Sequence, residues 1–383
     1  MTDITDEALV EVEIPEPEPD ELTRHEQADL VEAEDQPAAV VYSGQDFDIE
    51  GLVRRMKNED ILVPTFGHSD DRISSAGFQR AFVWNRPQMD RFVESLLLGY
   101  PIPGVFFVRQ RDKRYLVLDG QQRLRTLQHF YAGVYGGKVF ALQNVGEAFK
   151  GLRYETLSDE QRRTLDNAFI QATIVETDGT SASLESVYQI FERLNAGGTQ
   201  LTPHEIRVAL YAGPFIDFLE RLNQDAAWRT LYGKVSPRVR DQELILRILA
   251  LFETSLEYSR PLKSFLNQYV SRRRDMSGVG ETLLLERFSL AAALLLNGPG
   301  RSAVRPRGNQ VNAALTEALF VGLMWRLDDG DEPSEDAVTN AVADLLTNDK
   351  MQEAISRSTA DEESVKVRLR ESRSAFSGSN DVE

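Results

Sequence analysis

Tyr115-Leu-Val-Leu-Asp-Gly-Gln-Gln-Arg-Leu-Arg-Thr-Leu-Gln-His-Phe-Tyr131 is the stretch around which the chain is organised. Its first four residues are an apolar run typical of a buried strand. Apolar side chains then recur at the spacing of one helix face, at Leu124, Leu127 and Tyr131. Because the hydrophobic period changes across Asp119-Gly120, the sequence predicts a strand that leads directly into a helix.

The predicted junction has the properties of an anion site. The first backbone N–H groups of a helix have no partner within the helix, and the positive end of the helix dipole lies behind them. Gly120 lets a ligand approach the backbone, and Gln121 and Gln122 offer both donors and acceptors. Arg123 supplies a planar fork that suits a phosphate or a carboxylate. The alternative is that Asp119 is an ordinary N-cap, with Gly120 in a tight turn and Arg123 in solvent.

Length and composition restrict the class of protein. At 383 residues the chain is long enough for two or three domains. It has no cysteine, which excludes disulfides, thiolate zinc sites and cysteine nucleophiles. The four histidines show no HxH or HExxH spacing, which argues against a histidine-based metal site. No apolar run is long enough to span a membrane and the N-terminus begins with acids, so we expect a cytoplasmic protein.

The net charge of −18 is concentrated at the N-terminus. Residues 1–40 hold fourteen acids and one base, a net −13, which leaves only −5 for residues 41–383. Such a segment buries too little apolar surface to fold alone, so we expect a disordered acidic tail over residues 1–44. We interpret it as a solubilising leader; the alternative is a nucleic-acid mimic that shields a basic groove.

Hydrophobic periodicity predicts an α+β fold. Strands are expected at residues 61–64, 105–108, 115–118 and 169–175, and helices at 45–58, 86–97 and 184–194. A capping box with Pro203 at the first helical position starts a series of helices that continues to about residue 372. We therefore expect a mixed α/β module over residues 45–200, a helical domain over 201–372 and a disordered C-terminus over 373–383.

Four motifs occur in an order and spacing that resemble a known family. They are Phe78-Gln-Arg-Ala-Phe-Val-Trp84, Ser95-Leu-Leu-Leu-Gly-Tyr-Pro-Ile-Pro103, Leu118-Asp-Gly-Gln-Gln-Arg-Leu124 and Phe191-Glu-Arg-Leu-Asn-Ala-Gly-Gly-Thr-Gln-Leu201. From about residue 60 to 270 the chain resembles the family named for the N-terminal domain of GmrSD restriction enzymes, a relative of ParB. The resemblance implies a ParB-like nucleotide-binding core with helical additions, found in bacterial and phage-related systems that act on modified DNA.

The resemblance also implies which residues bind a nucleoside triphosphate with Mg²⁺. The family's Asp-Gly-Gln-Gln-Arg motif, associated with binding and hydrolysis, falls on Asp119, Gly120, Gln121, Gln122 and Arg123. Its Gln-Arg pair falls on Gln79 and Arg80, and its Asn-x-Gly-Gly loop on Asn195, Gly197 and Gly198. In this interpretation Asp119 holds the metal ion or orients a water molecule. The two glutamines of the motif position the attacking water or read the base, and Arg123 neutralises phosphate charge together with Arg80.

Two functions of different classes follow. The first is a nucleotide-binding, NTP-hydrolysing regulatory or DNA-targeting subunit of a modification-dependent restriction system. The resemblance implies that the full restriction enzymes append a histidine-dependent nuclease domain, but no histidine follows His204 in this chain. In this hypothesis a partner chain therefore cuts the DNA. The alternative is a non-catalytic DNA-binding adaptor. Its phosphate contacts would be Arg80, Trp84 and the basic stretches Arg238-Val-Arg240 and Arg272-Arg-Arg274.

Two further expectations concern assembly and metal chemistry. The resemblance allows a homodimer, since ParB-like modules often dimerise. A nuclease centre within this chain would need carboxylates such as Asp119, Glu192 or Glu205, which have no tight spacing in the sequence. We therefore do not expect nuclease activity from this chain alone.

Overall fold

The computed structural model describes residues 40–63, 84–194, 201–276, 280–306, 308–356 and 358–377. Seven strands are found within these ranges: β1 (Tyr42–Asp48), β2 (Ile61–Leu62), β3 (Val105–Arg109), β4 (Tyr115–Asp119), β5 (Val134–Tyr135), β6 (Lys138–Val139) and β7 (Phe169–Glu176). Five helices accompany them: α1 (Ile49–Lys57), α2 (Arg86–Leu97), α3 (Gln121–Ala132), α4 (Asp159–Asp166) and α5 (Ser181–Leu194).

In the body that follows, the described residues form ten α-helices. They are α6 (Pro203–Leu210), α7 (Pro214–Asn223), α8 (Ala226–Tyr232), α9 (Arg240–Thr254), α10 (Leu262–Arg273), α11 (Glu281–Asn297), α12 (Ala313–Asp328), α13 (Glu335–Thr347), α14 (Asp349–Ala354) and α15 (Glu362–Phe376). A mixed sheet followed by helices confirms the predicted α+β class. Among the described residues, no helix combines the length and the apolar composition needed to cross a membrane.

The main sheet has five strands in the order β1-β7-β3-β4-β2, and β5 pairs with β6 in a separate hairpin. β7 pairs antiparallel with β1 and parallel with β3. β4 pairs antiparallel with β3 and parallel with the short β2. The strand that leads into the central motif therefore lies between two other strands, which fix its position.

Both faces of the sheet are covered by apolar side chains, because successive residues of a strand point to opposite faces. Val117 of β4 belongs to a core that includes residues of α1 to α4. Its neighbours Leu116 and Leu118 belong to a second core, which includes α5 and the helical body. One strand thus contributes to two cores.

Capping residues start the helices where the sequence predicts them. Asn85 accepts from the backbone N–H of Gln88 at 3.1 Å, and the Gln88 side chain accepts from the Asn85 N–H at 2.9 Å. Thr202 and Glu205 form the same reciprocal pair at the start of α6. Each capping box satisfies two helix-end donors, so the predicted starts of α2 and α6 are confirmed.

The helix predicted over residues 45–58 is wrong in its first four residues. Residues 42–48 form β1, which pairs with β7 more than 120 residues later in the chain. Helix α1 begins only at Ile49, where the Asp48 side chain accepts from the Gly51 N–H at 2.6 Å. Only Phe47 of β1 is buried, so the strand has no alternating apolar pattern that would identify it. The short helices α8 and α14 were also not predicted.

Candidate functional site

The central motif lies at a strand-to-helix junction, as predicted. β4 ends at Asp119, and Gly120 occupies the N-cap position of α3 with a φ of 95°. A glycine cap has no side chain to accept from the first helical N–H groups, and the Asp119 carboxylate does not take that role. The alternative in which Asp119 is an ordinary N-cap is therefore wrong. Among the described residues, no side chain caps the positive end of this 12-residue helix.

Only glycine fits at position 120. Its φ lies in the left-handed region, which L side chains rarely adopt. A Cβ atom added there would lie 2.4 Å from Cγ1 of Val105 on the neighbouring strand β3.

Arg123 joins three segments of the chain. Its Nη1 donates to the carbonyl oxygens of Pro103 at 2.6 Å and Gly104 at 2.9 Å, and its Nη2 donates to Oδ2 of Asp119 at 2.7 Å. The Arg123 side chain is only 13% exposed, whereas that of Asp119 is 46% exposed. The guanidinium group therefore fixes the junction against the segment that precedes β3, and the carboxylate remains accessible to solvent.

The two glutamines of the motif have different surroundings. Oε1 of Gln122 accepts from the backbone N–H of Trp84 at 3.3 Å, and Gln121 is half-buried at the start of the helix. Trp84 packs edge-on against Phe92, with the ring centres 5.5 Å apart. Trp84 therefore packs against the core beside α2. It is the last residue of the motif Phe78-Gln-Arg-Ala-Phe-Val-Trp84, and its contact with Gln122 places this end of that motif next to the central one.

The remaining predicted nucleotide-binding residues are not described by the structure. Gln79, Arg80, Asn195, Gly197 and Gly198 all lie outside the described ranges. The described chain resumes four residues after Arg80 and ends one residue before Asn195. Trp84 follows Arg80 and contacts Gln122, and α5 ends at Leu194, one residue before Asn195.

His204, Glu205 and Arg207 hold the helical body together, and each of them is buried. His204 Nε2 lies 3.0 Å from Oε1 of Gln242 on α9. Glu205 binds the Arg238 guanidinium through both carboxylate oxygens, at 3.0 and 2.9 Å. These contacts all lie within the helical body.

Most arginines of the two basic stretches named in the DNA-binding adaptor hypothesis already contact acceptor groups of the protein. Arg238 is buried in its pair with Glu205. Arg272 pairs with Glu257 at 2.6 Å, and Arg273 pairs with Glu253. Arg274 donates to the carbonyl oxygen of Ala212 at 3.2 Å. These side chains would have to leave their partners to reach nucleic-acid phosphates.

The carboxylates considered for a nuclease centre are also held by cations. Asp119 pairs with Arg123, Glu192 with Lys263 at 3.3 Å, and Glu205 with Arg238. Within the described residues, no group of three or more His, Asp or Glu side chains could hold a metal ion.

We expect buried His204 to make the free energy of unfolding depend on pH. Burial lowers the pKa of His204 from 6.5 to about 3, and the nearby Arg207 charge acts in the same direction. Because the folded-state pKa lies below the unfolded value, this stabilisation is complete above pH 6.5 and is lost as the pH falls toward 3. Urea unfolding should show the wild type losing roughly 1 kcal/mol per pH unit more than His204→Gln in this window. If the free energies of unfolding of the two proteins depend on pH in the same way, the lowered pKa of His204 is contradicted.

Comparison with known proteins identifies one family. Residues 64–212 match the family model described as GmrSD restriction endonuclease, N-terminal domain. The matched range contains the central motif and extends to the residues after α6, so it is shorter than the resemblance expected from residue 60 to 270. Searches of curated proteins and of solved structures find no significant match.

Proposed function

Because residues 64–212 match the GmrSD N-terminal domain family model, we propose that this protein binds a nucleoside triphosphate with Mg²⁺ at the start of α3 and hydrolyses it. The family match indicates a function related to restriction systems. Within such a system, we assign the chain the role of a regulatory or DNA-targeting subunit whose nuclease is a separate chain. The observation that supports the nucleotide site is the glycine-capped start of α3, with Arg123 and an accessible Asp119 beside it.

The phosphate groups would be bound mainly by the backbone. The N–H groups of the first turn of α3 and the helix dipole would attract an anion. The chain has no GxxxxGK[ST] stretch, so no lysine of a Walker motif is present to share this task. Arg123 adds positive charge at the junction, and its contacts with Pro103 and Gly104 hold it in place.

Asp119 is the candidate metal ligand. Its carboxylate is 46% exposed, and Arg123 binds the Oδ2 atom, which leaves Oδ1 for Mg²⁺ or a metal-bound water. Gln121 is the better candidate for orienting the attacking water, because the oxygen of the Gln122 amide already accepts from Trp84. The Gln122 amide N–H groups can still donate to the ligand.

The proposal is tested by phosphate release from ATP, GTP, CTP and UTP with Mg²⁺, using wild type and Asp119→Asn. We expect the substitution to lower kcat by about a hundredfold or more, since charge stabilisation at the transferred phosphoryl group is lost. Asp112→Asn is a matched control. Asp112 is 47% exposed and pairs with Arg114 at 2.6 Å, whereas Asp119 is 46% exposed and pairs with Arg123 at 2.7 Å.

The outcomes separate the two functional hypotheses. Loss of hydrolysis in Asp119→Asn but not in Asp112→Asn supports the site, and the preferred triphosphate identifies the base. If calorimetry detects no binding of any of the four triphosphates to the wild type, the nucleotide proposal fails. The DNA-binding adaptor would then be the better hypothesis, with steep salt dependence of DNA binding as its expected property.

A further inference from the structure

Two arginines lie together beside the C-terminal end of α8. A Cβ atom added to Gly233, the residue that follows α8, would lie 3.3 Å from Nη2 of Arg301 and 3.5 Å from Nη2 of Arg305. Arg301 belongs to the 3₁₀ helix Gly300–Val304, and Arg305 follows that helix directly. The packing of this short helix against α8 therefore brings two guanidinium groups to the same point of the surface.

Arg305 is held in place by backbone carbonyl oxygens. Its Nη1 and Nη2 atoms donate to the carbonyl oxygens of Leu231 and Tyr232 in the last turn of α8, and its Nε atom donates to that of Asn309 at 2.9 Å. The first two bonds satisfy free carbonyl groups at the negative end of the helix. A guanidinium group carries five N–H donors, so Arg305 keeps donors for a ligand.

Positive charge accumulates around Gly233. Among the described residues, no carboxylate pairs with Arg301 or Arg305, and exposed Lys234 likewise has no described partner. Burial lowers the pKa of Arg305 and the adjacent Arg301 charge lowers it further, but both arginines remain charged at neutral pH. An anion that contacts both guanidinium groups would relieve their mutual repulsion.

These side chains differ from the basic stretches considered above for DNA contact. Arg238, Arg272 and Arg273 already pair with glutamates. In contrast, Arg301 and Lys234 are exposed and can bind an external anion without leaving a described partner. An exposed basic surface suits an extended polyanion, since duplex DNA carries one phosphate charge about every 1.7 Å along its axis.

We infer that the Gly233 patch, formed by Lys234, Arg301 and Arg305, binds the phosphate backbone of duplex DNA. The patch lies in the helical body, outside the residues 64–212 that match the family model. Contacts to the backbone position a duplex but do not read its sequence, so the patch would anchor DNA and not select it. The inference rests on the DNA-targeting role within the proposed function, and it does not depend on nucleotide hydrolysis.

The test measures binding of a short fluorescein-labelled DNA duplex to the full-length protein by anisotropy, from about 50 to 200 mM salt. The double variant Lys234→Gln/Arg301→Gln removes two charges without described partners, so its unfolding midpoint should not change. Its Kd should rise roughly tenfold at the lowest salt concentration, and the plot of log K against log salt should be shallower by about 1.8, since each phosphate contact contributes about 0.9. Arg305 is kept because it caps α8.

The matched control is Arg54→Gln/Lys57→Gln, which removes one arginine and one lysine from α1 in the mixed module. Both side chains are exposed and have no described partner. Equal weakening in the two double variants overturns the inference, because net charge alone would then explain it. An unchanged Kd and salt dependence in Lys234→Gln/Arg301→Gln overturn it as well.

The same measurements separate this inference from the nucleotide proposal. If the wild type binds no duplex at the lowest salt concentration, the inference and the DNA-targeting role both fail. If the wild type hydrolyses no triphosphate but its duplex binding depends on the Gly233 patch, only the nucleotide proposal fails and the inference is supported.

Discussion

Gly120→Ala is expected to abolish nucleotide binding and to lower the free energy of unfolding by about 2–4 kcal/mol. Two effects combine at this position. The φ of 95° is strained for any L residue, and the new Cβ atom would lie 2.4 Å from Val105 Cγ1. Relief of this clash must move β3 away from the start of α3, and with it the first-turn N–H groups. Urea unfolding and calorimetric titration with the preferred triphosphate measure the two losses.

The opposite end of the same helix provides the control. Gly133 has a φ of 71°, but no atom lies within 4 Å of an added Cβ. Gly133→Ala should therefore show only the backbone strain, roughly 1–2 kcal/mol, and should keep nucleotide binding. A Val105→Ala change added to Gly120→Ala should recover part of the lost stability. Equal losses at positions 120 and 133 would show that packing against Val105 is unimportant.

Glu317→Ala is expected to lower the free energy of unfolding by about 3–5 kcal/mol, the largest effect predicted for the helical body. Glu317 is 1% exposed and lies between two buried arginines, Arg247 at 2.5 Å and Arg368 at 2.7 Å. Removing the carboxylate leaves two positive charges out of water without their anion. Denaturant unfolding of the variant at neutral pH measures the loss.

A surface pair of similar geometry serves as the control for Glu317. Glu257 pairs with Arg272 at 2.6 Å, but both side chains are about half exposed. Glu257→Ala should cost less than about 1 kcal/mol, because solvent screens exposed charges. Replacing all three members of the buried group by Leu and Met should be far less harmful than Glu317→Ala alone. If the triple variant is the less stable one, the pairing itself stabilises the fold.

The sequence was sufficient to predict elements whose signals are local. The switch from strand to helix at Asp119-Gly120 and the capping boxes before α2 and α6 are each contained in a few residues. β1 was missed because its pairing with β7 is distant in sequence and only Phe47 is buried. Residues whose conformation depends on a remote partner carry little local signal.

In the candidate site, too, features with a local signal were predicted and contacts between distant segments were not. The residue types of the motif predicted an anion site at a helix start. The structure has the helix start at these residues, and the anion site stays a prediction. The partners of Arg123 could not be predicted, because Pro103 and Gly104 approach it only through the packing of β3 on β4. The hydrogen bond from Arg125 to Val63 was likewise missed, since its acceptor is a backbone carbonyl oxygen that carries no signature in the sequence.

β4 leads into the motif and has Val117 on one face and Leu116 and Leu118 on the other. This arrangement restricts how the C-terminal helices of such proteins can change in evolution. A lineage that exchanged the C-terminal helices would expose one apolar face of the sheet to water. Any replacement must therefore supply a new apolar cover of similar shape before it can add a new activity. We expect relatives that share this sheet to differ in their C-terminal helices while keeping large aliphatic residues at the positions of Leu116 and Leu118.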